Sequence, residues 1–135
     1  MEEMGTLVRR QRKWFKISDY DLQSAELEAK AGRFSACSFW CQQATEKALK
    51  ALIELTERPL PIHDVFKLAH KLRIVLHENH RELLKELSRR YTESRYDLDL
   101  SVEENDDGLA ESSRIVDATK EFIVWAKKQS KSPLI

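Results

Sequence analysis

A cluster of arginine and tyrosine residues at positions 89–97 is the part of the sequence best suited to chemistry. Tyr91 and Arg95 are four residues apart and share one helix face, while Tyr96 and Asp97 come where that helix should end. A guanidinium group binds phosphate oxygens in pairs, and a tyrosine ring stacks on a nucleobase. The stretch therefore predicts a site for a phosphate-bearing ligand. An internal salt bridge of Arg95, with the tyrosines covering the core, explains the same residues equally well.

The four histidines form the second candidate group. His63, His70 and His77 are seven residues apart in sequence. That spacing is about 10.5 Å along a helix, so successive members cannot share one metal ion. His77 and His80 are close enough to share one, but no third ligand is indicated. We interpret the histidines as structural or solvated, and we expect neither a metal site nor a cofactor.

The two cysteines are four residues apart within a helical pattern. Cys37 and Cys41 therefore lie on one helix face, which suits small buried side chains in a reducing compartment better than a disulfide framework. Two thiols alone are also too few ligands for a zinc site.

Length and composition bound the fold. The chain has 135 residues, 23 basic and 23 acidic, with only 3 glycines and 3 prolines. One domain over residues 1–135 is the expectation, and the scarcity of turn formers favours long helices over many short strands. No apolar run is long enough to cross a bilayer, and the first residues lack an apolar leader. We therefore expect a cytoplasmic protein without membrane contact.

The zero net charge is the sum of two segregated patches. Residues 9–16 hold five basic side chains and no acidic one, whereas residues 97–111 hold seven acidic side chains and no basic one. A protein that binds nucleic acid broadly is normally basic overall. This balance favours a small ligand or a protein partner over non-specific RNA binding.

Helical periodicity predicts five helices. Their predicted bounds are residues 12–31, 34–57, 63–76, 81–95 and 109–128, with residues 97–108 as an acidic loop. Gly32 should end the first helix. The second is apolar over much of its circumference, so it should pack on two sides, one of them a candidate contact with a partner subunit. We predict an all-α fold, an up-and-down antiparallel four-helix bundle plus a short additional helix.

Several stretches resemble a known family. The matching residues are Trp14, Asp21-Leu22, the run Phe39-Trp40-Cys41-Gln42-Gln43-Ala44-Thr45-Glu46-Lys47-Ala48-Leu49-Lys50-Ala51-Leu52, His63-Asp64, and Tyr91-Thr92-Glu93-Ser94-Arg95-Tyr96. Together they resemble a small prokaryotic HEPN domain, of the "higher eukaryotes and prokaryotes nucleotide-binding" family, over about residues 10–128.

The resemblance implies a helical bundle that forms a homodimer and works beside a minimal nucleotidyltransferase in a toxin-antitoxin-like pair. It also implies a nucleotide or RNA ligand. The candidate ligand-binding residues are His63, Asp64, Tyr91, Arg95, Tyr96 and Asp97.

The ribonuclease branch of that family places a histidine five to seven positions after a late arginine. Here residues 100–102 stand where that histidine would follow Arg95, and none of them is histidine. Arg73 and His80 satisfy the spacing but lie earlier. A non-catalytic binding partner is therefore the preferred function. A metal-independent endoribonuclease that uses Arg73 and His80 is the alternative, and a non-catalytic dimerising scaffold is the second alternative.

Overall fold

A computed structural model describes residues 4–54, 58–59, 61–72, 74–96 and 108–131, except for the side chains of residues 4, 93–96 and 131. These residues form helices and no strands. The helices are α1 (Met4–Lys30), α2 (Phe34–Ile53), α3 (Val65–Ala69), α4 (Glu78–Tyr96) and α5 (Gly108–Lys131).

Helix α1 runs antiparallel to both α2 and α5. Near the start of α1, Gln11 donates a hydrogen bond to the carbonyl of Ala51, near the end of α2, at 3.2 Å. Further along α1, Asp19 pairs with Lys127 of the last turns of α5 at 2.7 Å. The short α3 contacts α2 and α4. The predicted bundle of four long helices and one short helix is confirmed.

Helix α2 is the centre of the bundle, because it contacts each of the other four helices. Leu49, Leu52 and Ile53 lie away from its seam of small residues, yet each is at most 2% exposed. The prediction that α2 packs on two sides is confirmed. Helices of the same chain cover those apolar residues, so they do not themselves indicate a partner subunit.

Small residues allow α1 and α2 to approach closely. Ala25 on α1, and Ala44 and Ala48 on α2, are fully buried. The Ser18 hydroxyl donates to the carbonyl of Ala44 at 2.7 Å, so the side chain of one helix reaches the backbone of the next. Larger side chains at these positions would separate the two helices.

The turn between α1 and α2 follows the sequence prediction. Gly32 has a positive φ of 74°, a conformation that glycine adopts without steric cost. The amides of Gly32 and Arg33 bond back to the carbonyls of Ala29 and Glu28, which satisfies the last turn of α1.

Several helix boundaries differ from the predicted ones. Helix α4 begins at Glu78 instead of residue 81, and α5 ends at Lys131 instead of residue 128. Helix α1 begins at Met4, earlier than predicted, and its first turns have partners on α2, since Arg10 pairs with Glu54 at 2.9 Å. Helix α2 ends at Ile53, and its predicted continuation through residues 55–57 lies outside the described residues.

Helix α3 is much shorter than predicted. The pattern predicts a helix over residues 63–76, but α3 covers only Val65–Ala69. Asp64 caps its start, and the amides of residues 70–72 bond three residues back instead of four, which tightens the chain and ends the helix. The connector to α4 therefore carries apolar side chains without helical structure. Most of the predicted acidic loop, residues 97–107, lies outside the described residues.

Ion pairs join α4 to α5. Arg114 of α5 donates two hydrogen bonds to the carboxylate of Glu86, at 2.6 and 3.1 Å, and pairs with Glu111 at 2.9 Å. Arg90 also bonds to Glu86 at 3.0 Å and lies over the ring of Phe34. Hydrogen bonds from Arg114 and then Arg90 hold the pKa of Glu86 below its usual value.

Among the described residues, no helix has the length and hydrophobicity needed to cross a membrane.

The close approach of α1 and α2 predicts the effect of Ala44→Leu. The added side chain has no room between the helices, so we expect a loss of about 1–3 kcal/mol in the free energy of unfolding, measured by urea denaturation. Ala110→Leu, at an exposed position of α5, is the matched control and should change stability by less than about 0.5 kcal/mol. Equal effects of the two substitutions would contradict this account of the contact.

The Glu86 pairs predict a pH-dependent contribution to stability. Because the folded state lowers the pKa of Glu86, its contribution is present above the usual carboxyl pKa and is lost as the pH falls through the lowered value. Glu86→Gln should cost on the order of 1 kcal/mol at pH 7, and the difference from wild type should vanish in acid. Glu82→Gln, whose carboxylate meets Lys85 only at 3.9 Å, should show no such pH dependence in urea titrations.

Candidate functional site

Asp64, a predicted ligand residue, joins two helices. Its Oδ1 accepts hydrogen bonds from the amides of Phe66 at 2.9 Å and Lys67 at 3.1 Å, the first amides of α3. The same oxygen accepts a hydrogen bond from the hydroxyl of Ser88, on α4, at 3.1 Å. Asp64 thus serves as the N-cap of α3 and fixes that helix against α4. In this position it shapes the surface between α3 and α4.

That surface is a depression of about 460 Å³, which we call the polar groove. Its lining residues are Phe66, Lys85, Ser88, Arg89 and Thr92. These described residues supply two cationic groups, two hydroxyls and one aromatic ring, with no carboxylate among them. Cationic groups and hydroxyls bind phosphate oxygens, and a ring offers a face for a base.

Basic residues recur along the α4 side of this surface. Arg81, Lys85 and Arg89 are four residues apart, so they lie on one stripe at intervals of about 6 Å. Sequence reasoning missed Lys85, although its spacing from Arg89 was visible, and it included Arg89 only as part of the stretch 89–97. Arg95 and Tyr96 lie in the last turn of the same helix, and Asp97 lies outside the described residues.

Tyr91 lies on a different face of α4. Its ring stacks on Phe39 of α2, with centroids 6.4 Å apart and planes inclined by 20°. Tyr91 is half-buried and does not line the polar groove. The structure therefore uses this tyrosine in packing α4 against α2, which agrees with the interpretation that tyrosines cover the core.

His63 is held by a buried ion cluster on α2. Glu46, 1% exposed, bonds through Oε2 to the Lys50 ammonium at 3.1 Å and to His63 Nδ1 at 3.4 Å. The backbone carbonyl of His63 accepts a hydrogen bond from Gln42 at 2.7 Å. Lys50 also lies over the ring of Trp14. The start of α3 is thereby fixed against α2 as well as α4, with the His63 ring mostly exposed to solvent.

Two further ion pairs join α1 to α2. Lys47 pairs with Asp21 at 3.3 Å, and Glu54 accepts hydrogen bonds from Arg10 and from the Trp14 indole. Asp21 and Glu54 are buried. The run that carries the family resemblance on α2 supplies the buried charges Glu46 and Lys50 and the partly buried Lys47, a structural role that its sequence alone does not reveal.

His80, of the alternative Arg73 and His80 pair, lies inside the protein. It is 1% exposed, and its Nε2 lies 3.1 Å from the carboxylate of Glu121. Its ring packs against Phe122 and Trp125. These contacts favour a structural histidine. Arg73 lies outside the described residues.

The two cysteines are free and fully buried, as predicted. A hydrogen bond from Cys41 lowers the pKa of Cys37, and the same bond together with burial raises the pKa of Cys41. Both thiols belong to the core of the bundle.

Comparison with known proteins decides the family. The HEPN domain profile matches residues 11–129. The chain belongs to the HEPN domain family. No curated protein matches it in a sequence search.

Two solved structures share the HEPN fold of this chain. A crystal structure of TT1696 from Thermus thermophilus has a TM-score of 0.73 at 21% identity, and covers 88% of this chain and 97% of that protein. ST0689, described as an archaeal HEPN homologue, has a TM-score of 0.69 at 22% identity, and covers 89% of this chain and 97% of its own. At these identities the similarity establishes the fold.

The buried cluster on α2 predicts a coupled effect of Glu46 and Lys50 on stability. Glu46→Leu leaves the Lys50 ammonium buried without its carboxylate, so we expect a loss of about 3 kcal/mol or more in urea denaturation. The double variant Glu46→Leu/Lys50→Met should recover most of that loss, because an apolar pair needs no charge compensation.

His63→Ala is the control for this pair of variants. His63 is 63% exposed, so its removal should cost less than about 1 kcal/mol. If the double variant is as unstable as Glu46→Leu alone, the unpaired Lys50 charge is not the cause of the stability loss in Glu46→Leu.

Proposed function

We propose that this HEPN protein is a non-catalytic subunit that binds a nucleotide or RNA segment and works with a minimal nucleotidyltransferase in a toxin-antitoxin-like pair. The polar groove between α3 and α4 is the observation that carries the proposal. The cytoplasmic location expected from the sequence belongs to it, since free nucleotides and RNA are found there.

The chemistry of the groove suits a phosphate-bearing ligand. Lys85 and Arg89 place two exposed cationic groups beside the hydroxyls of Ser88 and Thr92. The carboxylate of Asp64 accepts three hydrogen bonds at the edge of this surface, so its charge is already partly compensated. Phe66 supplies the ring on which a base stacks.

The size of the groove and the charge balance of the chain favour a short ligand. A volume of about 460 Å³ suits a nucleotide or a few linked nucleotides better than a long duplex. The zero net charge gives no long-range attraction for a large polyanion.

A homodimer is part of the proposal, as the family resemblance implies. Tyr20 and Leu27 of α1 and Val124 of α5 are exposed apolar side chains on adjacent helices, which suits a contact between subunits. A monomeric mass at micromolar concentration in light scattering would count against this part.

No contact among the described residues favours the endoribonuclease alternative. His80 is buried against aromatic rings, whereas a general acid or base must reach the proton that it transfers. The dimerising scaffold remains the outcome to expect if no ligand binds.

The polar groove predicts that Lys85→Glu weakens ligand binding. We expect at least a tenfold loss of affinity for nucleoside triphosphates or a short RNA, measured by isothermal titration calorimetry, because a phosphate contact becomes a repulsion. For RNA, the logarithm of the binding constant should depend less steeply on the logarithm of the salt concentration, by about one unit of slope.

Lys120→Glu is the matched control. Lys120 is also an exposed lysine with a carboxylate at 3.9 Å, but it lies on α5, away from the groove. Equal losses for the two variants would indicate a general charge effect and overturn the assignment of the site. Absence of binding to nucleotides, RNA and the co-expressed nucleotidyltransferase would sink the whole proposal.

A further inference from the structure

A second depression, the apolar groove, lies beside the polar groove and shares Phe66 with it. It has a volume of about 520 Å³. Its lining residues are Phe66, Ala69, His70, Leu72, Ile74, Val75, Leu76, Arg81 and Leu84. They come from α3, from the connector to α4, and from the first turns of α4.

The connector leaves apolar surface open to solvent. Val75 is 81% exposed, and Leu72, Ile74 and Leu76 are only half-buried. Single exposed aliphatic side chains are common on protein surfaces, but a group of them around a concave surface is typical of a binding site.

The polar groups of the groove are few and of one sign. Arg81 is exposed, and the lining residues that the structure describes include no carboxylate. His70 already bonds through Nδ1 to the carbonyl of Phe66 at 2.8 Å. A bound group therefore meets an aliphatic floor and one guanidinium, which pairs with carboxylates in a bidentate geometry.

We propose that the apolar groove is the docking site for an acidic amphipathic segment of the nucleotidyltransferase partner. The apolar side chains of that segment would contact the floor of the groove, and one of its carboxylates would pair with Arg81. The inference rests on the proposed function, since it assigns the surface that the partner subunit uses. A helix laid in a groove by its apolar face is an established mode of recognition.

The lining argues for a protein segment over a nucleic acid. Apart from Phe66, His70 and Arg81, its described lining residues are aliphatic and provide no stacking platform for bases. Arg81 is the only arginine among these described residues, while Lys85 and Arg89 line the neighbouring polar groove. Because Phe66 borders both grooves, a docked partner lies next to the bound ligand.

The test uses a fluorescein-labelled amphipathic peptide with leucine on one face and glutamate on the other. Two matched peptides replace either the leucines by alanine or the glutamates by glutamine. Fluorescence anisotropy should show binding of the first peptide and at least tenfold weaker binding of both others. Val75→Asp and Arg81→Glu should each weaken binding of the first peptide by a similar factor.

Leu109→Asp is the matched control, because Leu109 is an exposed aliphatic residue of α5 outside both grooves. It should leave peptide binding unchanged, and circular dichroism should show that all variants are folded. Absence of peptide binding, an equal loss for Leu109→Asp, or displacement of the peptide by single-stranded RNA would overturn the inference. A change of molecular mass for Val75→Asp alone would assign the groove to a second copy of the chain and overturn it as well.

Calorimetry with nucleotides separates this inference from the proposed function. Val75→Asp should keep wild-type nucleotide affinity, because Val75 does not line the polar groove. Nucleotide binding without peptide binding would remove only the docking site. Peptide binding without nucleotide binding would remove the ligand site and leave the docking surface.

Discussion

The central position of α2 is the constraint on which the rest of the structure depends. Because α2 contacts every other helix, most of its apolar residues are buried within one chain, and its buried polar residues must find partners there too. Glu46 and Lys50 meet that requirement by pairing with each other. Burying a charge without a partner costs several kcal/mol, so each of the two charges requires the other. The start of α3 follows, since His63 bonds to the same carboxylate.

A single carboxylate oxygen, on Asp64, then positions α3 relative to α4 at the surface. Oδ1 of Asp64 caps α3 and accepts the Ser88 hydroxyl, so it sets the distance between α3 and α4. Both grooves are formed by these two helices and the connector between them. The His63-Asp64 pair therefore has a structural role here: it holds α3 in place against α2 and α4, while the polar side chains that line the polar groove come from α4.

The sequence was informative where one periodicity decided the outcome. The stripe of α1, including Phe15, Leu22 and Ala25, is buried as its spacing predicts, and Gly32 has the positive φ expected of a helix end. The predicted length of α3 was wrong, because the apolar positions continue at helical spacing while the backbone tightens after Ala69. Periodicity reports which side chains are apolar, and it cannot distinguish a helix from a connector packed on the same core.

The candidate site was harder to predict than the fold for a related reason. Tyr91 and the basic residues of α4 look equivalent in sequence, yet the helix turns Tyr91 towards Phe39 and leaves Lys85 beside α3. Only the packing of α4 against its neighbours divides its polar residues between core and groove. The same division separates charges within a chain of zero net charge. Glu86 of α4 pairs with Arg114 of α5, whereas Lys85 and Arg89 of the same helix line the groove towards α3.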